Sequence, residues 1–214
     1  MKNKKLLSVV AALVLVATVI RAQADGPESS PGAASGPAYA FNEKESTLYW
    51  EGSKPGGKHF GTIEVINGSA VTDGDRIVGG TFQIDMSSIK NDDIENEGMR
   101  SRLLDHLRSE DFFYVDKFPT STFEIKSVEP VSGADPASHK ITGELTIRGN
   151  TREVSFPADI SMTDRAIYAK TGEISLDRTE WEVNHKSKSV FAGLKDSFID
   201  DDMIVKLDVI LERN

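Results

Sequence analysis

The residues in this sequence that could carry out catalysis are few and widely spaced. None of the 214 residues is a cysteine, which excludes thiol nucleophiles and zinc–thiolate centres. Neither the G-x-S-x-G motif of serine hydrolases nor the H-E-x-x-H motif of metalloproteases occurs. The sequence therefore predicts no catalytic residue, and a hydrolase built from Ser, His and Asp side chains is only a weak alternative.

One glycine-rich segment imitates a phosphate-binding loop. Residues 52–58, GSKPGGK, fit the G-x-x-x-x-G-K pattern, but His59 follows where that motif needs Ser or Thr. The stretch after it alternates like a strand, so no helix N-terminus would face a phosphate. We interpret the segment as a hairpin loop.

No metal site is predicted. The histidines His59, His106, His139 and His185 do not lie at metal-ligand spacing from one another, which favours scattered surface or hydrogen-bonded side chains. The acidic run 200–202 lacks the glycine-punctuated loop with alternating oxygen ligands that is typical of calcium sites. We interpret that run as solvated charge.

The segment 139–162 predicts an antiparallel hairpin around which the sheet is organised. Both arms alternate apolar and polar residues, which is typical of a sheet with one dry face and one wet face. Gly149 and Asn150 between the arms indicate a two-residue type II′ turn. That turn would place Leu145 opposite Val154.

Arg152 is the candidate contact for a ligand head group. In this register it lies opposite Ile147, with its side chain on the dry face at the rim of the sheet. The favoured interpretation is that it extends over the rim and pairs with a carboxylate. The alternative is that it binds an anionic head group.

The N-terminus predicts an exported protein. Lysines precede the apolar run 6–20 and an A-x-A site ends at Ala24, so residues 1–24 resemble a cleaved signal peptide. The run is shorter than the roughly 20 residues of a membrane-spanning helix, and an uncleaved anchor is the alternative. Residues 25–38, rich in Gly, Pro, Ser and Ala, predict a disordered spacer before a folded domain at 39–214.

Composition limits the compartment and the partners. Without cysteine the chain has neither a lipoprotein anchor nor disulfides, which favours a bacterial periplasm or secretion from the cell. The net charge of −9 becomes more negative when the basic signal is removed. This excludes non-specific binding to nucleic acid or to anionic membrane surfaces. After processing we expect no integral membrane span.

Eight strand-like segments follow one another along the domain. Turn-forming residues separate them, and regular short strands of this kind indicate an antiparallel sandwich or barrel. In the seventh segment two inward-facing sets of residues compete, which predicts a bulge. The segments are 47–53, 61–69, 76–86, 120–129, 139–148, 151–163, 166–176 and 202–213.

One amphipathic helix interrupts the strands. Asp92 and Glu95 resemble a capping box at its start. An antiparallel barrel with this helix across one end is the natural assembly, and the aromatic residues 112–114 would form a plug or lid. The apolar stripe of the helix consists of Met99, Leu103, Leu104 and Leu107.

Four stretches together resemble the YceI-like family, the bacterial lipocalin-like polyisoprenoid-binding proteins. They are GTFQIDMSSI at 80–89, HLRSEDFF at 106–113, KFPTSTF at 117–123 and GELTIRGNTR at 143–152. Their order and approximate spacing agree with the family from about residue 39 to the C-terminus. The segment 50–60 departs from the family pattern, because only His59 and the following Gly61 align well there.

The resemblance implies an all-β fold with one helix, an eight-stranded antiparallel lipocalin-like β-barrel. Its apolar interior tunnel would take a polyisoprenoid, an isoprenoid quinone-like molecule or a fatty-acyl lipid. The resemblance implies no enzymatic activity, and we expect no cofactor apart from this amphiphilic lipid ligand. The candidate tunnel-lining residues are Phe82, Ile84, Phe112, Phe113, Phe123, Ile125, Gly143, Leu145, Ile147, Val154, Phe156, Ile160, Val205 and Leu207.

We therefore expect a periplasmic or secreted protein that transports, stores or scavenges a lipid, and a homodimer is left open. The alternative is a packed barrel without lipid that acts in stress protection or protein interaction. A tunnel and a filled core both fit the sequence, because the inward Gly143 either vacates space or accommodates Phe156 opposite it. If the interior is a tunnel, Gly143→Leu should block lipid binding with little loss of stability.

Overall fold

The computed structural model describes residues 38–132 and 137–213, so the predictions for the signal peptide and for nearly all of the spacer lie outside the described residues. Within these ranges the chain forms ten strands and one α-helix. In chain order they are β1 Ala38–Phe41, β2 Thr47–Lys54, β3 Gly57–Asp73, β4 Arg76–Asp85, α1 Glu97–Arg108, β5 Thr120–Pro130, β6 His139–Ile147, β7 Asn150–Met162, β8 Ala166–Lys170, β9 Ile174–Asp177 and β10 Asp202–Arg213.

The strands close into a ring with eight positions. The order β2-β3-β4-β5-β6-β7-β8-β10 returns to β2, and every pairing is antiparallel. Strand β1 continues β2 along the edges of β3 and β10, while β9 continues β8 along β10. This confirms the eight-stranded antiparallel barrel, with two of its eight positions filled by interrupted strands.

The irregularity predicted within 166–176 is an interruption of the strand. β8 ends at Lys170, and Thr171 is tied to β10 because its hydroxyl accepts the N–H of Leu207 at 2.9 Å. The break changes the alternation of the chain, so that Ile167 and Ile174, which lie an odd number of residues apart, are both buried. The two competing inward sets are thus both used, one on each side of the break.

The predicted turn of the central hairpin is wrong by two residues in its register. Ile147 pairs with Asn150, so Arg148 and Gly149 are the central residues, with φ angles of 51° and 76°. Two positive φ angles define a type I′ turn, whose twist matches that of the strands. Leu145 consequently lies opposite Arg152.

Tertiary contacts explain why this turn forms around Arg148. The Arg148 guanidinium donates to the carbonyl of Glu182 at 2.8 Å, and the Asn150 amide donates to the carbonyl of Trp181 at 3.4 Å. Both partners come from the crossover 178–201, whose position the hairpin sequence does not reveal. A shift of two residues keeps every side chain on its own face, so the predicted dry face survives the error.

Helix α1 begins later than predicted. The side chain of Asn96 caps it by accepting the N–H of Met99 at 3.0 Å, so the predicted capping box of Asp92 and Glu95 is wrong. The preceding loop is held to β3, because Asp93 accepts the backbone N–H of Phe60 at 2.9 Å. This attachment delays the start of the helix.

The apolar stripe of α1 is narrower than predicted. Leu107 is buried and Leu103 and Leu104 are half-buried against the core, but Met99 is 60% exposed. Arg108, in the last turn, is half-buried and donates to the carbonyls at residues 87 and 89. No helix within the described ranges is long and apolar enough to cross a membrane.

Candidate ligand cavity

The barrel encloses an apolar cavity of about 250 Å³. Its walls include Leu107 from the apolar cluster beneath α1 and Leu211 from the cluster at the other end of the barrel, so the cavity runs through both. Close-packed cores have few voids larger than one water molecule, whereas this volume holds roughly twenty water-sized positions. The interior is therefore not a filled core.

Thirteen of the fourteen predicted tunnel-lining residues lie in the cavity wall. The exception is Gly143, which the ring of Phe123 covers. A Cβ at Gly143 would lie 2.5 Å from the carbonyl oxygen of Glu124 and 2.5 Å from the Phe123 ring. The thirteen are Phe82, Ile84, Phe112, Phe113, Phe123, Ile125, Leu145, Ile147, Val154, Phe156, Ile160, Val205 and Leu207.

The end of the cavity beneath α1 is closed by the turn that follows the helix. Phe112 is buried, Phe113 is half-buried, and both line the cavity. The N–H of Phe113 donates to the carbonyl of Leu107 at 3.1 Å, which folds the turn back against the helix. Trp181 closes the same end from the crossover, with its indole N–H donating to the carbonyl of Leu145 at 2.9 Å.

Arg152, the predicted head-group contact, lies outside the cavity wall. Its pairing with Leu145 puts it on the inward side of the sheet, but the side chain is exposed. Its guanidinium donates to the carbonyl of the neighbouring Thr151 at 2.8 Å. The proposed contact with a head group remains a prediction.

Arg178 is the buried cation of the site, and the sequence did not single it out. It is 4% exposed and lines the cavity, and it donates to the carbonyls of Asp200 at 2.9 Å, Ile199 at 3.0 Å and Val183. Burial lowers the pKa of its guanidinium, and the nearby carboxylates, above all that of Asp201, oppose the shift. Arg178 therefore joins both ends of the crossover.

The acidic run 200–202 is more than solvated charge. The Asp201 carboxylate lies 3.5 Å from the Arg178 guanidinium, and its side chain is only 15% exposed. Burial would raise its pKa, but the hydroxyls of Ser187 and Ser189 and the charge of Arg178 together hold the pKa below its ordinary value. The sequence shows a cation at 178 and an acidic run at 200–202, but only the tertiary fold reveals that they pair.

The polar part of the cavity wall is concentrated where β2 ends and β10 begins. Glu51, Asp200 and Asp202 line the cavity there, and Asp202 is exposed, so the cavity reaches solvent at this point. The register confirms the proximity, because Glu51 pairs with Ile204. Glu51 is paired with the ammonium of Lys58 at 2.8 Å, so the negative charge of this mouth comes from Asp200 and Asp202.

One hydroxyl in the wall lacks a protein partner. Ser121, near the start of β5, is 3% exposed and lines the cavity. Its Oγ atom is buried without a hydrogen-bond partner among the described residues. A buried hydroxyl without a partner costs free energy, so this atom is a natural contact for a polar group of a ligand.

The sequence suggested that the four histidines are scattered, but two of them meet in the structure. His59 pairs with Asp93 at 2.8 Å, beside β3. His106 and His185, which are distant in the sequence, are in contact, with their ring centroids 4.6 Å apart. Both approach the carboxylate of Asp111, outside the cavity. Sequence spacing could not reveal this meeting, because it depends on where the crossover lies.

The closed antiparallel ring and its apolar interior define a lipocalin-like barrel. The sequence matches the YceI-like domain over residues 39–211, most of its length. The chain belongs to the YceI-like family. The first described strand, which begins at Ala38, starts beside the beginning of this match.

Solved structures with low sequence identity share the fold. BcnA from Burkholderia cenocepacia superposes with a TM-score of 0.61 at 17% identity, covering 79% of this chain and 98% of that chain. A polyisoprenoid binding domain from Saccharophagus degradans superposes with a TM-score of 0.58 at 12% identity, covering 83% and 99% respectively.

A short segment also matches a curated bacterial relative. A UPF0312 protein of Staphylococcus aureus (strain bovine RF122 / ET3-1) is 41% identical over 56 residues. The match covers 26% of this chain and 28% of that protein, so it spans less than a third of the relative.

Proposed function

We propose that this protein is a non-enzymatic binding protein that holds one long apolar chain inside its barrel. The ligand is an amphiphilic lipid with a polyisoprenoid, quinone-type isoprenoid or fatty-acyl tail. The protein acts after export to the periplasm or the cell exterior, where it transports, stores or scavenges this lipid. The observation that carries the proposal is the apolar cavity of about 250 Å³.

The shape and the chemistry of the cavity support a lipid tail as the occupant. The wall is formed almost wholly by aliphatic and aromatic side chains. Such side chains pack well against a hydrocarbon but offer too few hydrogen bonds for a ligand that is polar along its length. If each non-hydrogen atom replaces one water-sized position, a tail of roughly twenty atoms fits. The polyisoprenoid binding domain from Saccharophagus degradans has the same fold, which supports an isoprenoid tail.

The polar groups of the cavity favour a neutral head group. Asp200 and Asp202 at the mouth would repel an anion, and the donors of Arg178 are occupied by backbone carbonyls. Ser121 offers a free hydrogen bond to a carbonyl or hydroxyl. We therefore infer that a quinone or an alcohol binds more tightly than a phosphate with the same tail.

The cavity does not support hydrolysis. A serine nucleophile needs a base within hydrogen-bond distance, and Ser121 has no such partner among the described residues. The packed-barrel alternative, an interaction module without ligand, requires side chains that meet across the interior, and the cavity argues against it.

Ligand extraction and titration test the proposal. Protein from a bacterial host is extracted with organic solvent and analysed by mass spectrometry. The lipid-free protein is then titrated with an isoprenoid quinone, a polyprenyl phosphate and squalene. We expect a recovered lipid and the tightest binding for the quinone. Protein recovered empty, together with no binding of any of the three, would refute the proposal.

A pair of matched variants ties the binding to the cavity. Val154 lines the cavity, whereas Val190 is 48% exposed and lies outside it. Val154→Trp should fill the cavity and reduce lipid affinity strongly, and Val190→Trp should bind as wild type does. Equal affinities for both variants would place the lipid elsewhere.

A further inference from the structure

Three side chains with metal-binding atoms meet outside the cavity, against the turn that closes its end beneath α1. His106 lies in the last turn of α1, Asp111 in the turn that follows, and His185 in the crossover. One nitrogen of each imidazole and one carboxylate oxygen all lie within 4.8 Å of one another. His106 and Asp111 are close in the sequence, whereas His185 is distant, so the tertiary fold brings the third residue to the cluster.

Both histidines point at the same oxygen atom. His106 Nε2 lies 3.2 Å from Asp111 Oδ2, and His185 Nδ1 lies 3.7 Å from that same atom. Two ligands bonded to one tetrahedral zinc ion, each at about 2.1 Å, are about 3.4 Å apart. Two edges of the cluster therefore already have nearly the length that a shared ion requires, and small side-chain rotations would close the third.

The cluster is open to ions but firmly backed on one side. The side chains of His106, Asp111 and His185 are 40%, 60% and 22% exposed, so an ion can reach them from solvent. Behind them the ring of Phe112 lies 4.9 Å from the His106 ring and 5.3 Å from the His185 ring. Because Phe112 is buried in the core, it limits how far the imidazoles can turn away.

We propose that His106, Asp111 and His185 form a binding site for a divalent first-row transition ion such as Zn²⁺, Ni²⁺ or Cu²⁺. Two imidazole nitrogens and one carboxylate oxygen are the donor set that these ions prefer, whereas Ca²⁺ and Mg²⁺ require mainly oxygen ligands. Three protein ligands leave at least one position of the ion for water. The site lies outside the lipid cavity and is independent of the proposed lipid function.

Metal binding at this site has a structural consequence. The ion would connect the last turn of α1, the turn after it and the crossover, which together close one end of the barrel. Since the folded protein would bind the ion and the unfolded chain would lose the arrangement, the ion should raise the melting temperature in a concentration-dependent way.

Titration of the tag-free, lipid-free full-length protein with zinc tests the site. Isothermal titration calorimetry should show one zinc ion bound per chain. Thermal denaturation should show a higher melting temperature with zinc. His185→Ala and His106→Ala should each weaken binding by at least about 100-fold, because loss of an outer hydrogen-bond partner of a metal ligand alone costs about 10- to 100-fold. His59→Ala, which removes the histidine of a different His–Asp pair, should bind zinc as wild type does.

A spectroscopic measurement on the unaltered protein covers the case in which a variant fails to fold. Histidine ring ¹⁵N resonances should shift on zinc addition at His106 and His185 but not at His59 or His139. Absence of zinc binding to the wild-type protein, or the same affinity in His185→Ala, would overturn the proposal. Zinc-induced shifts confined to His59 or His139 would overturn it as well.

Discussion

Ser121 carries the hydroxyl that the cavity leaves without a protein partner. Ser121→Ala removes this buried group, so the lipid-free protein should be as stable as wild type or more stable by up to about 1–3 kcal/mol. Affinity for an isoprenoid quinone should fall by about 0.5–1.5 kcal/mol, while affinity for squalene should not change. Chemical denaturation and lipid titration check the two parts, and an equal loss for both lipids would contradict the hydrogen bond.

Gly143 is needed for close packing and not for space in the cavity. A Cβ at this position would lie 2.5 Å from a backbone carbonyl oxygen, which cannot move without disturbing β5. We expect Gly143→Ala to lose about 1–3 kcal/mol of unfolding free energy, and Gly143→Leu to lose more. The expectation that Gly143→Leu would leave stability intact is thus reversed.

Gly79 provides the matched control for this change. It also lies in a strand, and a Cβ there would meet nothing within 4 Å. Gly79→Ala should therefore unfold at nearly the same urea concentration as wild type. If Gly143→Ala and Gly79→Ala lost the same unfolding free energy, the loss would be that of replacing any strand glycine and would not reflect the contact with β5.

Asp93 should make the protein sensitive to acid. Burial alone would raise its pKa, but hydrogen bonds from the backbone N–H of Phe60 and from His59 and Asn91 outweigh it and lower the pKa. The stabilisation is then present above the unfolded pKa and is lost as pH falls through the lower folded pKa. Asp93→Asn should lose less stability than wild type between neutral pH and about pH 3, measured by urea denaturation. Asp92→Asn, at the exposed neighbouring position, should follow wild type.

Helix α1 is held to the barrel mainly through its C-terminal half. Leu107 is 8% exposed, whereas Met99 on the first turn is 60% exposed. We expect Leu107→Ala to reduce the unfolding free energy by about 2–4 kcal/mol. Met99→Ala should have almost no effect, since its side chain loses little apolar area on folding. Thermal and urea denaturation distinguish these outcomes, and equal losses would mean that the whole stripe is buried.

The crossover 178–201 acts as a second closing element. It places Trp181 beneath the hairpin and His185 beside α1, and it folds Arg178 back against Asp200 and Asp201 at its own C-terminal end. Because Arg178 is buried and donates to three backbone carbonyls, its contacts keep an otherwise irregular segment in one conformation. The same segment supplies His185, one of the three ligands of the proposed metal site.

For the molecule as a whole, the remaining prediction concerns export. The charged start, the apolar run and the A-x-A site predict that residues 1–24 are removed and that the mature chain begins near Asp25. The intact mass of protein secreted or released from the periplasm of a bacterial host should match this chain. Retention of residues 1–24 would contradict the prediction and favour the anchored alternative.

The sequence by itself determined the class of the fold and most of the cavity wall. Alternation with period two marks the inward residues of a strand whatever its neighbours are, which is why Phe82, Phe123 and Leu145 all lie in the cavity wall. The prediction of inward-facing residues also holds despite the wrong hairpin turn, because an error of two residues keeps each side chain on the same face.

The tertiary structure alone decided which residues meet across the fold. The type I′ turn at Arg148 depends on the crossover, and the meeting of His106 with His185 depends on packing between distant segments. Whether the interior was filled was equally undecided by the sequence, since packing density depends on how all eight ring positions close together. Local pattern therefore predicted the faces of the strands, and long-range packing produced the cavity and the cluster beside it.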